Sequence, residues 1–184
     1  MTEYTDQELL KLFKSEDSKN FAFRLIINKY QERLYWHIRK IVIGHEDTDD
    51  VLQNTFIKVW NGLSNFREDS KLYTWLYRIA TNESLTFLKQ KKRRYFIPFL
   101  EIENQLKNTL ESDEYFSGDE IQKKLQKAIL TLPEKQRLVF NMKYFEDMKY
   151  EDISEIIGTS VGALKASYHH AVKKIENYLK NNIN

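Results

Sequence analysis

The stretch DTDDVLQNTFIKVWNGLSNFREDSKLYTWLYRIATNESLTFLKQKKRR, residues 47–94, decides how the chain is organised. It begins with carboxylates, continues with apolar residues at helical spacing, and ends in aromatic residues followed by a cationic cluster. This pattern predicts one face that docks on a protein and another face that binds nucleic acid. We expect the rest of the chain to supply supporting helices, a tether and a second helical module.

The composition indicates a soluble globular protein built from helices. Hydrophobic residues make up 41% of the 184 residues and charged residues 30%, which does not fit a disordered chain. The chain has only five glycines and two prolines, and this scarcity favours an all-α fold. The lack of cysteine excludes disulfides and thiolate metal sites and suits a cytoplasmic location. We see no signal-peptide pattern and no apolar run long enough to cross a bilayer.

Charges are segregated along the chain, although the net charge is only +2. A free-standing DNA-binding protein usually carries a larger basic excess, because phosphate neutralisation supplies much of its affinity. The segment from Phe96 to Glu120 holds seven acidic residues against the single Lys107. Segregation of this kind predicts different partners for different segments. The basic cluster consists of Lys89, Lys91, Lys92, Arg93 and Arg94.

Two helices are predicted before residue 47. Thr5 can cap a short helix that runs to Lys14. Apolar residues recur at helical spacing from Asn20 to Ile43, so a longer helix should bury one face there. We expect Gly44 to end this helix in the left-handed conformation that glycine favours.

The helix that opens near Asp47 is predicted to have an inward and an outward face. Ile57 lies among polar residues on the outward face, and this favours a docking surface. A solvated face with one exposed isoleucine stays open as an alternative, because single exposed apolar residues are common. The predicted inward stripe is Leu52, Phe56, Val59, Trp60 and Leu63. The outward residues are Asp49, Asp50, Gln53, Asn54, Ile57 and Lys58.

Breaks in the helical pattern divide the chain. Asn61-Gly62 is typical of a turn, and residues 65–71 are typical of a loop. Pro98 is expected to end the first module. The acidic segment 96–119 shows no sustained period and is predicted to be a flexible linker. We expect the two modules to move freely about this linker when the protein is isolated.

The helix predicted from Lys71 to Arg94 combines aromatic and basic residues. Tyr73 and Tyr77 are expected on its surface, where their rings can stack on the bases of single-stranded nucleic acid. Trp75 is expected to complete the core, because large aromatic residues are usually mostly buried.

The second half of the chain has the layout of a helix-turn-helix. Residues 150–157 predict a short helix, Gly158 a turn, and Ser160 the cap of a longer helix that ends at Leu179. Basic side chains on the second helix can meet phosphates, while its neighbouring residues can face base edges in a major groove. Other short helical hairpins give a similar pattern. The predicted outward residues are Lys165, Ala166, His169, His170 and Lys173.

Two long motifs resemble one family. DDVLQNTFIKVW followed by FREDSKLYTWLYRIATNESLTFLKQKKRR is similar to the second conserved region of the extracytoplasmic-function (ECF) sigma factors of bacterial RNA polymerase. LTLPEKQRLVFNMKYFEDMKYEDISEIIGTSVGALKASYHHAVKKIENYL is similar to their fourth region. The resemblance implies an all-α protein of two small helical domains, residues 1–95 and 120–184, joined by the linker 96–119. It implies a role in promoter-specific initiation, with no cofactor.

The resemblance also implies partners and roles. The first domain would grip the clamp helices of the largest subunit of core RNA polymerase, and the second would meet the flap of the second-largest subunit. An anti-sigma factor is implied as an inhibitory partner. The residues implied for polymerase binding are Asp49, Asp50, Gln53, Asn54 and Ile57.

Promoter DNA would be read at both ends of the chain. A base of the minus-ten element would be flipped out and held at the start of the Lys71 helix. At Ser167 and Val172 many relatives carry arginine, so the resemblance implies weaker upstream reading here. The minus-ten residues are Phe66, Lys71, Tyr73, Trp75, Tyr77, Arg78 and Asn82. The residues implied for nearby duplex phosphates are Lys89, Lys91, Lys92, Arg93 and Arg94. The minus-thirty-five residues are Ser160, Lys165, Ala166, His169, His170 and Lys173.

Two other classes of function have weaker support from the sequence. A helix-turn-helix regulator that binds DNA alone would not need the docking face and aromatic reader of the first half. An enzyme has little support, because the four histidines lack metal-ligand spacing and no phosphate-binding glycine loop is present.

Overall fold

A computed structural model describes residues 4–94, 106, 108–110 and 120–182. Within these residues the regular structure is helical throughout, which confirms the all-α prediction. The first module consists of α1 (Asp6–Phe13), α2 (Lys19–Val42), α3 (His45–Leu63) and α4 (Leu72–Arg94). The second module consists of α5 (Glu120–Leu130), α6 (Glu134–Tyr144), α7 (Tyr150–Ile157) and α8 (Val161–Asn181).

Thr5 caps α1 as predicted. Its hydroxyl oxygen accepts a hydrogen bond from the backbone N–H of Glu8, and the Glu8 carboxylate accepts one from the Thr5 N–H at 2.7 Å. This reciprocal pair satisfies donors that would otherwise lack partners at a helix start. The Tyr30 hydroxyl donates to the Asp6 carboxylate at 2.7 Å and so fixes α1 on α2.

The prediction for Gly44 is wrong. The left-handed residue is Ile43, with φ of 67°, while Gly44 is extended and lies at the N-cap of α3. A positive φ strains a β-branched residue. The Ile43 side chain is completely buried in a small apolar cluster with Leu106, Leu110 and Leu130, and this burial offsets the strain.

The predicted turn at Asn61-Gly62 is also wrong, because α3 continues to Leu63. A Cβ atom at Gly62 would lie 3.2 Å from the Trp75 ring, so the glycine allows α4 to approach closely. The inward face of α3 is rotated from the predicted stripe. Its buried residues are Thr48, Val51, Thr55, Val59 and Leu63, whereas Leu52, Phe56 and Trp60 are half-buried.

The two modules are in contact in this structure, in contrast to the expected free movement. Helix α4 packs on α7, and α2 packs on α6. Leu72 and Leu76 of α4 belong to the same continuous core as Met142, Ile153 and Ile156 of the second module. Of the predicted linker, the structure describes only Leu106 and residues 108–110, and the rest lies outside the described residues.

The second module also has a core of its own. The long helix α8 packs on α5, α6 and α7. Its Ala171 and Ile175 are buried together with Ala128, Ile129 and Phe140. Helix α7 therefore lies between α8 and the first module.

The turn between α7 and α8 provides a test of the helix-turn-helix geometry. Gly158 has φ of 70°, a conformation that costs other residues about 1 kcal/mol. We expect Gly158→Ala to lower the free energy of unfolding by about this amount in urea denaturation. Gly162→Ala is the matched control, because Gly162 lies inside α8 with open space around it. We expect this control to be neutral or slightly stabilising, and an equal loss in both variants would contradict the geometry.

Candidate polymerase and nucleic-acid interfaces

The outward face of α3 is a solvent-exposed surface of carboxylates, amides and one isoleucine. Asp49, Asp50, Gln53 and Asn54 are exposed, and Ile57 keeps 53% of its surface accessible. An apolar side chain surrounded by acceptors can bind a partner that presents an apolar residue among cations. The five residues predicted for polymerase binding therefore share one face, which we call the α3 face.

An aromatic cavity lies where the loop after α3 meets α4. The rings of Phe66 and Trp75 are tilted with their centroids 5.0 Å apart. Arg67 and Arg78 line the same cavity of about 490 Å³. Trp75, which was expected in the core, is half-buried and forms part of the wall. The two rings contact each other, so a nucleic-acid base could stack on an accessible face of this pair, and the guanidinium groups nearby suit its phosphate.

Tyr73 and Tyr77 lie next to this cavity on α4, with ring centroids 4.6 Å apart. Tyr73 is half-buried, and Tyr77 is only 1% exposed. The expected surface position of Tyr77 is therefore wrong in this structure, because its ring packs at 4.7 Å from His37 beneath the second module. Burial raises the pKa of both tyrosine hydroxyls, with a further contribution from the Glu146 charge.

A buried polar cluster joins the modules beside Tyr77. The Nδ1 atom of His37 lies 2.9 Å from Glu146 Oε1, and its Nε2 atom lies 2.9 Å from the Thr81 hydroxyl. The two ionisable side chains are 1% and 8% exposed. Burial raises the pKa of Glu146, but attraction and hydrogen bonding from His37, aided by Tyr77 and Lys40, outweigh it. The pKa of Glu146 consequently lies below its ordinary value.

Sequence reasoning missed this cluster. His37 and Glu146 are 109 residues apart, and neither belongs to a motif. No local pattern in the sequence signals the pair, since each residue alone resembles an ordinary polar position on a helix or in a turn.

The basic end of α4 carries fewer free charges than its sequence suggests. Lys89 and Arg93 are exposed. Lys91 is half-buried and forms an ion pair at 2.6 Å with Asp47 at the start of α3. The side chains of Lys92 and Arg94 lie outside the described residues.

Three predicted minus-ten residues remain, Lys71 just before α4 and Arg78 and Asn82 on it; Asn82 is exposed, as is Arg78 in the cavity. Lys71 is exposed as well, but its Nζ atom donates to Asp152 of α7 at 2.9 Å. This hydrogen bond raises the pKa of Lys71. Lys71 is thus engaged by the second module.

Helices α7 and α8 form the predicted helix-turn-helix. The Ser160 hydroxyl accepts from the Ala163 N–H at 3.4 Å and caps α8. Ile153, Ile156 and Leu164, from the two helices, are buried in one apolar core. The predicted reading residues all lie exposed at the beginning and middle of α8: Ser160, Lys165, Ala166, His169, His170 and Lys173.

In the part of the chain that the structure describes, no group of histidines and carboxylates could hold a metal ion. The described helices include none that is long and apolar enough to cross a membrane.

Each of the two modules matches a known protein family. Residues 26–94 match the family described as Sigma-70 region 2, and residues 122–175 match Sigma-70 region 4. The RNA polymerase sigma-H factor of Pseudomonas aeruginosa is 32% identical over 98% of this chain and 96% of its own. The ECF RNA polymerase sigma-E factor of Escherichia coli is 31% identical over 94% of this chain and 93% of its own. The chain belongs to the ECF sigma factors.

Membership in this family means that the protein is a transcription-initiation factor that binds core RNA polymerase and promoter DNA. The alternative of a helix-turn-helix regulator that acts alone does not account for the region 2 match. Two solved structures share the fold of this sigma factor. CnrH in complex with the cytosolic domain of CnrY gives a TM-score of 0.70 at 21% identity, covering 96% of this chain and 97% of its own. The sigma factor RpoE in complex with the anti-sigma factor NepR from Bartonella quintana gives 0.68 at 22% identity, covering 86% and 96%.

The low pKa of Glu146 gives a pH-dependent prediction. A carboxyl whose pKa is lowered by folding stabilises the protein above its ordinary pKa of 4.5, and this contribution is lost as the pH falls through the native pKa. We expect Glu146→Gln to lower the free energy of unfolding by about 2 kcal/mol at about pH 6.

The difference between the two proteins should shrink as the pH falls to about 3. Urea denaturation across this range measures it, with the exposed Glu32→Gln as control. A difference that stays constant or grows toward acid would contradict the lowered pKa.

Proposed function

We propose that the α3 face binds the clamp helices of the largest polymerase subunit, while the aromatic cavity takes a flipped base of the minus-ten element. One observation carries the proposal. An exposed carboxylate, amide and isoleucine surface and an aromatic cavity with two arginines occur on adjacent elements of one module. A factor that docks on polymerase and reads a separated strand beside it needs these two surfaces close together.

The chemistry of each surface supports its assignment. The acceptors of the α3 face suit basic residues on a coiled coil, and Ile57 supplies an apolar anchor. In the cavity, Phe66 and Trp75 offer stacking surfaces, while Arg67 and Arg78 offer charge to phosphates. Lys71, just before α4, and Tyr73 and Asn82 on α4 would extend this strand-reading surface, whereas Tyr77 is buried in this structure. Lys89, Lys91, Lys92, Arg93 and Arg94 would hold the phosphates of the neighbouring duplex.

The second module would read the minus-thirty-five element with α8. Lys165 and Lys173 suit phosphates, while the small Ala166 leaves room for His169 and His170 to approach base edges. We assign contact with the flap of the second-largest subunit to this same module. The domain limits proposed are residues 1–95 and 120–184, with the linker at 96–119.

The family assignment also indicates how the protein is regulated and where it acts. An anti-sigma factor would inhibit the protein by covering these surfaces, as the solved complexes of similar fold contain such partners or partner domains. The protein would work in the cytoplasm, where polymerase and DNA are, and would need neither a cofactor nor catalysis of its own. Run-off transcription with core polymerase tests initiation directly, since transcripts must depend on the added factor.

The α3 face generates the first functional prediction. We expect the double change Asp50→Ala and Gln53→Ala to weaken binding to core polymerase by about tenfold, because it removes two acceptors from the docking surface. Titration of labelled protein with core measures the loss. Asn28→Ala with Glu32→Ala is the matched control, as both residues are exposed on α2. Unchanged affinity in the α3 variant would remove this face from the polymerase interface.

The second functional prediction concerns α8, the helix proposed to read the minus-thirty-five element. We expect Lys165→Ala with His170→Ala to reduce promoter-specific run-off transcription by about tenfold through the loss of a phosphate contact and a base-edge contact. Core binding should be unaffected. Lys180→Ala is the control, because Lys180 is exposed near the far end of α8. Loss of core binding along with transcription would show that the polymerase and DNA surfaces are exchanged.

A further inference from the structure

Two adjacent histidines in the middle of α8 are not engaged by the rest of the protein. His169 and His170 are both exposed, and their ring centroids lie 6.0 Å apart. Within the described residues, neither imidazole forms a hydrogen bond or an ion pair. Both nitrogens of each ring are therefore available to an external partner.

The other two histidines of the chain have internal partners. His37 is buried against Glu146, at 2.9 Å. The Nδ1 atom of His45 lies 2.7 Å from the Tyr35 hydroxyl and 3.7 Å from the Asp49 carboxylate. Contacts within the protein thus account for these two histidines but not for the pair on α8.

Lysines surround the pair on its own helix. Lys165 and Lys173 lie four residues before and four residues after His169. Lys174 lies four residues after His170, and residues at this spacing are neighbours on a helix surface. All three lysines are exposed. The imidazoles therefore belong to a cationic surface.

The partners of these lysines leave that surface positive. The Nζ atom of Lys174 donates to the Gln136 side chain of α6 at 3.1 Å, and Lys165 Nζ lies 5.8 Å from the Tyr150 ring of α7. Both partners are uncharged groups. The only acidic residue of α8 is Glu176, two helical turns beyond the pair.

The helices packed against α8 supply no carboxylate to the imidazoles within the described residues. Helix α5 has three lysines and one glutamate. On α7, Asp152 pairs with Lys71 of the first module, and Glu155 lines the aromatic cavity. Glu134 of α6 and Glu151 of α7 form no ion pair with either ring. An anion that balances a charged imidazole here has to come from outside the protein.

The chemistry of imidazole makes such an anion a proton-linked ligand. An ordinary histidine takes up a proton at about pH 6.5, within the physiological range. The neutral ring has one donor and one acceptor, whereas the charged ring has two donors. Neighbouring cations disfavour the charged form of an imidazole, and nearby phosphates favour it. A polyanion that binds beside such rings therefore binds together with protons.

Protons would change the charge of the DNA-binding face substantially. Lys165 and Lys173 are the lysines assigned to phosphates on α8, while Ser167 and Val172 beside the pair are uncharged. Protonation of both histidines adds two positive charges to this face. Each additional phosphate that is neutralised raises affinity for DNA through the release of counterions.

We propose that His169 and His170 contact duplex DNA in their protonated form, so that α8 takes up protons when it binds the upstream promoter element. The inference rests on the proposed function of α8. The lysines supply the part of the affinity that is constant, and the histidines supply the part that varies with pH. Upstream binding consequently strengthens as the pH falls from about 8 to about 6.

The first experiment measures duplex binding by the whole protein without polymerase at about pH 6, 7 and 8. The probe is a tetramethylrhodamine-labelled, mixed-sequence duplex of about 20 base pairs, followed by anisotropy at low salt because phosphate contacts weaken as salt rises. We expect the parent to bind about five- to tenfold more tightly at the lowest pH than at the highest. Equal affinity across this range, or tighter binding at the highest pH, would overturn the proposal.

Two variants fix the charge of the pair. His169→Gln with His170→Gln keeps donors and acceptors without charge, so it should bind at every pH as the parent does at the highest pH. His169→Arg with His170→Arg keeps the charge, so it should bind at every pH at least as tightly as the parent does at the lowest pH. Circular dichroism at each pH checks that the variants fold like the parent. A glutamine variant with the pH dependence of the parent would exclude the pair, and an arginine variant weaker than the parent would show that the rings act in their neutral form.

His45→Gln is the matched control. His45 is an exposed histidine at the start of α3, outside the helix-turn-helix. This variant should keep the affinity of the parent within about twofold at each pH, since it leaves the charge of α8 unchanged. Loss of the pH dependence in this control would place the titrating group in the first module and overturn the inference.

The dependence of affinity on salt gives a second readout from the same titrations. The slope of log affinity against log salt steepens by about 0.9 for each phosphate that the protein neutralises. We expect the slope of the parent to be steeper by about 1 to 2 at the lowest pH than at the highest, and that of the glutamine variant to be the same at both. A parent slope that does not change with pH would contradict contact between the imidazoles and phosphates.

Run-off transcription separates this inference from the proposed function. If the parent binds core and yields transcripts, but the glutamine variant keeps the parent's pH dependence in duplex binding, proton uptake by the pair is excluded and the proposed function stands. If the parent neither binds core nor yields transcripts, the proposed function itself fails.

Discussion

The buried contact between His37 and Glu146 is the interaction on which the arrangement of the two modules depends. Two ionisable groups with almost no exposure are costly to bury unless they satisfy each other. The Thr81 hydroxyl completes the partners of the imidazole, so the pair is stable only in one alignment of α4 with the residues after α6. The surrounding apolar contacts stabilise the packing of the two modules. Because the hydrophobic effect is non-directional, these contacts do little to fix the alignment of the helices. The polar pair thus selects the alignment, in which α7 lies against α4.

Helix α4 has different neighbours along its length. At its beginning, it lies under α7 and forms the wall of the aromatic cavity. In its middle, Thr81 reaches the buried pair. Near its end, Lys91 is held by Asp47 of α3, which places the basic cluster next to the helix that carries the α3 face. The surfaces proposed for polymerase and for DNA are therefore both in contact with α4 or carried by it.

The sequence predicted what depends on local pattern. The cap at Thr5, the helix-turn-helix with Gly158, and the exposed face around Ile57 each follow from residues within one or two helical turns. The predictions were wrong where residues distant in the sequence determine the local conformation. Gly62 continues a helix because the Trp75 ring packs on it. Likewise, Ile43 takes the positive φ that was predicted for its glycine neighbour, since burial against Leu106, Leu110 and Leu130 offsets the strain.

The same distinction between local pattern and distant contacts applies to the candidate sites. Residues of the α3 face and of α8 could be chosen from periodicity, because their exposure is set by their own helices. Tyr77 could not, since it is buried against groups far away in the sequence: the His37 ring of α2 packs on it, and Glu146 of the second module forms a hydrogen bond with its hydroxyl. Asp152, which engages Lys71, and Glu155, which lines the cavity, belong to α7, where the sequence shows only an ordinary amphipathic helix.

Helix α7 connects α8, the proposed reader of the upstream element, with the first module. Its apolar residues support the recognition helix on one side and join the core beneath α4 on the other. A substitution at Ile153 or Ile156 would change the packing of α8 and the contact with α4 together. If α8 reads the upstream element as proposed, evolution of a new specificity through α7 would therefore also alter the contact between the two modules. Independent tuning of the upstream element has to proceed through the exposed residues of α8.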